Sequence, residues 1–215
     1  MSQLIDNVVK RDLKAGRPCA GAWLHLCSPI SAEIMGDAGF DWLLIDMEHG
    51  PGDYQTLLAQ LQAIQGSRAT PVVRVQWNDP GIIKRVLDLG AHGVMIPLVG
   101  NRAQCEAAIR ACKYPPDGQR GVAGSHRAAG FGRFSADYWK RANAEILVIV
   151  QFETPEAVKE IDEILQVPGV DVAFIGPADL SAALGHLGDP GHPDVQDAIA
   201  RIEAAAKRAG VALGT

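Results

Sequence analysis

Phe174-Ile175-Gly176-Pro177-Ala178-Asp179-Leu180-Ser181, with Val148-Ile149-Val150-Gln151-Phe152-Glu153 upstream, sets the architecture of this chain. Each stretch is a short β-branched run that reaches an acidic residue and passes into a helix-type pattern. In a parallel α/β barrel such an acid stands at the carboxyl end of its strand, the rim on which active sites are built. Glu153 and Asp179 would then project from successive strands into one mouth. Paired oxygen ligands that leave other positions open suit Mg²⁺ or Mn²⁺ better than Zn²⁺. The competing reading makes both acids helix N-caps or surface carboxylates. Two of them, each at a strand end, weigh against it.

Working outward, the same rhythm runs through the chain. Residues 2–16 read as an amphipathic helix with Leu4, Ile5, Val8, Val9 and Leu13 on one face and Gly16 as its stop. Strands are expected over 20–26, 40–46, 71–75, 93–99, 146–152 and 171–175, and the start of a seventh over 210–215. Helices are expected over 31–38, 53–64, 80–89, 101–112, 135–141, 155–165 and 194–209. Alternation with short connections means parallel strands and right-handed crossovers. No GxGxxG follows the first strand, so a (β/α)₈ TIM barrel fits better than an open dinucleotide-binding sheet. Residues 1–215 read as a single barrel domain whose last strand and helix elements are lacking, since such barrels run to about 250 residues. One connection breaks the pattern: 114–133, rich in Gly, Pro, Arg and His, is expected to be a lid or a disordered loop.

Composition narrows the function. A formal net charge of −5 without a basic run gives no reason to expect nucleic acid. No apolar stretch is long enough for a membrane span, and no signal-peptide core opens the chain. The four cysteines show no CxxC spacing and read as reduced thiols of a cytoplasmic protein.

The strand ends carry the chemistry. Strand two runs into Asp46-Met47-Glu48-His49-Gly50, strand three ends on Arg74, strand five supplies Gln151 and Glu153, and Trp23 lies in strand one. Acid, base and cation at one rim are what metal-assisted carbanion chemistry needs. A divalent ion polarises the carbonyl of a 2-oxo acid, an arginine supplies a fixed positive charge, and a histidine moves the proton. Plainer roles are open for each: a backbone contact for His49, and a structural ion pair with Asp46 or Glu48 for Arg74. His126 and Arg127 read as loop residues that shape a substrate pocket, and His25, His92, His186 and His192 as packing or surface residues. No lysine falls on a strand, which disfavours Schiff-base chemistry.

These runs, together with Gly39-Phe40-Asp41-Trp42, Pro71-Val72-Val73-Arg74 and Tyr114-Pro115-Pro116 with Arg120-Gly121, resemble the HpcH/HpaI aldolase family. The resemblance covers nearly the whole chain in order. It implies a class II, metal-dependent pyruvate aldolase that cleaves a 4-hydroxy-2-oxo acid to pyruvate and an aldehyde, or runs the reverse addition. It implies Glu153 and Asp179 as ligands of Mg²⁺ or Mn²⁺, with Co²⁺ or Zn²⁺ as alternatives. It further implies His49 as general base, Arg74 beside the enolate oxygen, and Gln151 with the backbone N–H groups of Ala178 and Asp179 on the pyruvate carboxylate, in a mouth that also holds Trp23. Asp88 matches the acid that raises the basicity of the histidine; at the end of its helix it would have to act across a subunit contact. The resemblance also implies a homo-oligomer, a hexamer. Two substrates compete within it, 4-hydroxy-2-oxoheptane-1,7-dioate and 2-dehydro-3-deoxy-glucarate. Outside it stand a noncatalytic 2-oxo-acid-binding barrel and a related barrel doing Claisen-type or mutase chemistry.

Overall fold

A computed structural model describes residues 5–215. Seven strands, β1 (Gly21–Leu24), β2 (Trp42–Asp46), β3 (Thr70–Arg74), β4 (Gly93–Ile96), β5 (Leu147–Phe152), β6 (Val172–Ile175) and β7 (Ala212–Gly214), lie side by side in chain order. Every adjacent pair is parallel. Helices α1 (Val8–Lys14), α2 (Pro29–Asp37), α3 (Tyr54–Ile64), α4 (Pro80–Leu89), α5 (Arg102–Cys112), α6 (Ser135–Glu145), α7 (Pro155–Lys159), α8 (Ile161–Leu165), α9 (Pro177–Ala183) and α10 (Pro193–Ala209) fill the connections.

Strand periodicity sorts the core into two layers. Leu43 and Ile45, Val94 and Ile96, Val148 and Val150, and Ala173 and Ile175 pack outward against the helices. Their alternates Leu44, Val72, Met95, Leu147, Ile149, Val172 and Phe174 meet on the inner face. Residues of β2 and of β6 and β7 line the same internal apolar cavity of about 250 Å³, so the sheet is curled. No pairing joins β7 to β1 among the described residues. The barrel read from the alternation as lacking its last elements is seen as a curled seven-stranded parallel sheet.

The first helix is shorter than its hydrophobic pattern suggests. It spans Val8–Lys14, capped by Asn7, whose side chain accepts from the Lys10 N–H; Leu4 lies outside the described residues. This helix plugs the amino-terminal rim. Asn7 Nδ2 donates to the His92 carbonyl at 2.9 Å, and Lys10 Nζ donates to the Ile146 carbonyl at 2.6 Å and pairs with Asp171 at 2.8 Å. Burial pushes the Lys10 amine below its usual range, and Asp171 offsets part of that.

Two other expectations change. Glu160 leaves the helical region and divides the 155–165 helix in two. The 114–133 segment is no lid on this chain's mouth. Arg120 pairs with Asp88 at 2.6 Å, and Arg127 donates to the carbonyls of Leu89 and Leu61 and to Gln65 Oε1. Those partners sit at or near the carboxyl ends of α3 and α4, on the rim opposite the strand ends. Free carbonyls at helix termini attract cationic donors, so His126 and Arg127 fasten this rim rather than shape the mouth.

Replacing Lys10 by Ala should leave Asp171 buried without its partner and lower unfolding stability by about 3 kcal/mol. Denaturant titration reads the change, and the double variant Lys10→Ala/Asp171→Asn should lose less than the two single variants added together.

Candidate active site

The inner-face parity that builds the apolar layer also builds the site. Two residues beyond Leu44 comes Asp46, beyond Val72 comes Arg74, and beyond Ile149 come Gln151 and Glu153; Trp23 leads in the same way to His25. The β2–β3 register sets Asp46 directly opposite Arg74. Arg74 grips Asp46 with a fork, Nε to Oδ1 at 2.8 Å and Nη2 to Oδ2 at 2.7 Å. Burial alone would raise the Asp46 carboxyl, but the Arg74 hydrogen bonds and charge, with the Glu48 and His49 N–H groups, hold it below its usual range. Above the fork, the guanidinium carbon lies 4.7 Å from the Trp23 ring centroid.

Trp23, His25, His49, Arg74, Gln151 and the segment from Phe174 to Asp179 line one cavity of about 420 Å³. His49 is well exposed at its edge, with Nε2 3.9 Å from Glu48 Oε2. Gln151 is buried at the floor, and its amide donates to Oε2 of Glu153, which is buried next to it and does not itself line the cavity. The other Glu153 oxygen accepts from the Leu98 N–H at 2.7 Å. Gly176 lets these groups come close, because a Cβ there would stand 2.8 Å from Gln151 Nε2 and 3.1 Å from Glu153 Oε2. Helix α9 begins at once with Pro177, and its first backbone bond runs from Leu180 to the Gly176 carbonyl. The N–H groups of Ala178 and Asp179 are thus left without helical acceptors beside the cavity.

Burial pushes the Glu153 carboxyl up to about 7, with the charges of Glu48 and Asp179 adding to it. Burial raises Glu48 too, against the pull of Arg74. Glu48 Oε2 pairs with Arg74 Nη1 at 3.1 Å, while the buried Oε1 of Gln151 has no hydrogen-bond partner. Four carboxyls (Asp46, Glu48, Glu153 and Asp179) thus crowd around one guanidinium. A cation beside Glu153 and Asp179 fits that charge imbalance and would give the floor the positive partner it lacks.

The remaining assignments fall elsewhere. Asp88, in the last turn of α4, binds Arg120 and lies 3.8 Å from His126 Nε2 on the opposite rim; it does not line this cavity. His25, read from sequence as a packing or surface residue, belongs to the mouth: its Nε2 is 2.8 Å from Asp46 Oδ2. The parity of Trp23 was the signal that could have found it. His186 and His192, read from sequence as packing or surface residues, form with Asp194 a second cluster whose ligand-type atoms lie within 4.8 Å of one another. His186 Nε2 is 3.0 Å from Asp194 Oδ2, while His192 Nδ1 accepts from the Asp194 N–H and caps α10.

With the geometry in place, the chain can be compared with known proteins. Residues 20–215 match the model of the HpcH/HpaI aldolase/citrate lyase family. The chain belongs to that family. Membership makes it a lyase of the aldolase type. A 4-hydroxy-2-oxo-heptane-1,7-dioate aldolase of Klebsiella pneumoniae is 50% identical over 211 residues, covering 96% of this chain and 80% of the relative. An HpcH/HpaI aldolase/citrate lyase family protein from Burkholderia cenocepacia is 46% identical, with a TM-score of 0.93 over 97% of this chain and 83% of its own. The citrate synthase SbnG shares the fold at 29% identity and a TM-score of 0.86, covering 98% of this chain and 81% of its own.

The raised Glu153 carboxyl has a measurable consequence. A carboxyl that holds its proton more tightly when folded favours the fold at low pH and ceases to do so as pH rises through the folded value. In EDTA, stability should therefore fall by about 3 kcal/mol as pH climbs from about 4.5 to above 7. Glu153→Gln should flatten that slope in denaturant titrations at several pH values.

Proposed function

We propose that this chain cleaves a 4-hydroxy-2-oxo acid to pyruvate and an aldehyde, and catalyses the reverse addition. The observation that carries this reading is the convergence of His49, Arg74, Gln151 and the α9 segment on one cavity, with the buried Glu153 held next to it by Gln151. Gln151 and the N–H groups of Ala178 and Asp179 hold the carboxylate of the 2-oxo acid, and Trp23 bounds the pocket. His49 takes the proton of the 4-hydroxyl; the C3–C4 bond breaks, and its electron pair passes into the C2–C3 unit. Arg74, kept in place by Asp46, faces the negative charge that develops on the C2 oxygen. Return of a proton to C3 gives the pyruvate methyl group. Glu153 and Asp179 would hold a divalent ion, Mg²⁺ or Mn²⁺, which when bound supplies Lewis-acid polarisation of the 2-oxo carbonyl.

The preferred acid is 4-hydroxy-2-oxoheptane-1,7-dioate, in keeping with the relative at 50% identity that bears its name. We further read the curled sheet as a single domain of the (β/α)₈ barrel type. A homo-oligomer would let Asp88 reach a neighbour's histidine from the rim it occupies. No described helix is long and apolar enough to cross a membrane, and a cytoplasmic enzyme acting on small molecules alone is the setting we assign.

Exchange of pyruvate methyl protons with solvent tests the reading. The chain should exchange them with Mn²⁺ present and stop when EDTA is added; no exchange at any metal concentration would leave a binding protein or a Claisen-type enzyme instead. His49→Ala should lower the exchange rate by at least about 100-fold while leaving Mn²⁺ affinity within a few-fold. Asp179→Ala should weaken Mn²⁺ binding by more than about tenfold in calorimetric titration, and unaltered binding would remove Asp179 from the ligand set.

A further inference from the structure

His25 lines the mouth and takes no part in the chemistry assigned above. Its inner ring nitrogen is anchored: Nε2 lies 2.8 Å from Asp46 Oδ2. The ring is also stacked on Trp23, with centroids 5.7 Å apart and 10° between planes. About half of the side chain is exposed, whereas Asp46 is fully buried. The contact is not needed to satisfy Asp46. Oδ1 already receives Arg74 Nε and the N–H groups of Glu48 and His49, and Oδ2 receives Arg74 Nη2, so the carboxylate is paired without His25 and keeps on Oδ2 the one place that His25 takes. The dependence therefore runs the other way, and Asp46 fixes the orientation of His25. A ring held by one nitrogen and one face leaves Nδ1 available at the outer lip of the cavity.

A 4-hydroxy-2-oxo acid bound with its carboxylate at Gln151 and the α9 amides must direct its other end outward, past that lip. We propose that His25 is the specificity-determining residue for the aldehyde half of the substrate. Its Nδ1 accepts from a hydroxyl carried beyond the aldehyde carbon or, with the ring as the imidazolium, donates to a carboxylate there, and so selects oxygen-bearing aldehydes over alkyl ones. The inference rests on the aldolase reading and adds to it the polarity of the second product. An aldehyde with an oxygen in that place gains the bond to Nδ1, which an alkyl aldehyde cannot form.

The test is addition of pyruvate, with Mn²⁺, to propanal, glyceraldehyde and succinic semialdehyde by the unaltered protein, by His25→Ala and by His25→Gln. In His25→Ala the kcat/KM for at least one oxygen-bearing aldehyde should fall about tenfold relative to propanal, and His25→Gln should recover part of that ratio. Loss confined to glyceraldehyde assigns the bond to a hydroxyl; loss confined to succinic semialdehyde assigns it to a carboxylate. A fall by one common factor for all three aldehydes, or unshifted ratios, overturns the proposal. Proton exchange by the unaltered protein without aldehyde separates the two failures. Its absence removes the aldolase reading and the role of His25 together, whereas normal exchange with unshifted ratios removes only the latter.

Discussion

The fork between Arg74 and Asp46 is the constraint from which the mouth is built. Both groups are buried, and a charge taken out of water is tolerated only when paired and hydrogen-bonded. The parallel register of β2 and β3 sets them opposite each other, so no side chain has to bend to make the pair. The same carboxylate receives the N–H groups of Glu48 and His49, which fixes the turn that carries the His49 imidazole. It also anchors His25, and through Arg74 it sets what lies beneath Trp23. Removing Asp46 would disturb Arg74, His49 and His25 at once.

The inner face divides along its length. Toward the amino-terminal rim it is apolar, filled by Leu44, Val72, Met95, Leu147 and Val172 and plugged by Val9 of α1. Toward the carboxyl rim the inward positions of β1, β2, β3 and β5 turn polar, to His25, Asp46, Arg74 and Gln151, and that beyond β6 is Gly176. The apolar layer keeps water from the floor, so charges above it are weakly screened. That is why Glu153, whose side chain has two hydrogen-bond donors, still titrates far above an ordinary carboxyl. Electrostatics that would be negligible on a surface become decisive there.

Much of this was legible in the sequence because strands buried on both faces write near-continuous apolar runs, and β2, β5 and β6 do so. Glu153 and Asp179 were legible because each follows such a run. His25 was missed because β1 is short and only partly buried, so Trp23 did not impose an obvious parity on its neighbours. The 114–133 segment was misread for a different reason. Gly, Pro, Arg and His describe a mobile lid and a rim clamp equally well; what decides is whether helix-end carbonyls such as those of Leu89 and Leu61 lie within reach of Arg127, a long-range fact that spacing does not encode. Closure of the barrel is likewise a property of strand pairing, not of periodicity.

Local rules are broken most clearly around Glu153. Leu98 is held at φ +56°, a conformation that a side chain of its type adopts at a cost of about 1–2 kcal/mol, and its N–H is thereby aimed at the Glu153 carboxyl. From β5 the amide of Gln151 approaches the other oxygen, and from the turn after β6 Gly176 forgoes a side chain to admit both. Three elements thus converge to position one carboxyl that, beside Glu48 and Asp179, is better off protonated. Stability alone would replace it with an amide or an apolar group. A fold that keeps a strained backbone, a missing side chain and an uncompensated acid at one point is organised for something that binds there, and an acid-rich floor under a single guanidinium calls for positive charge.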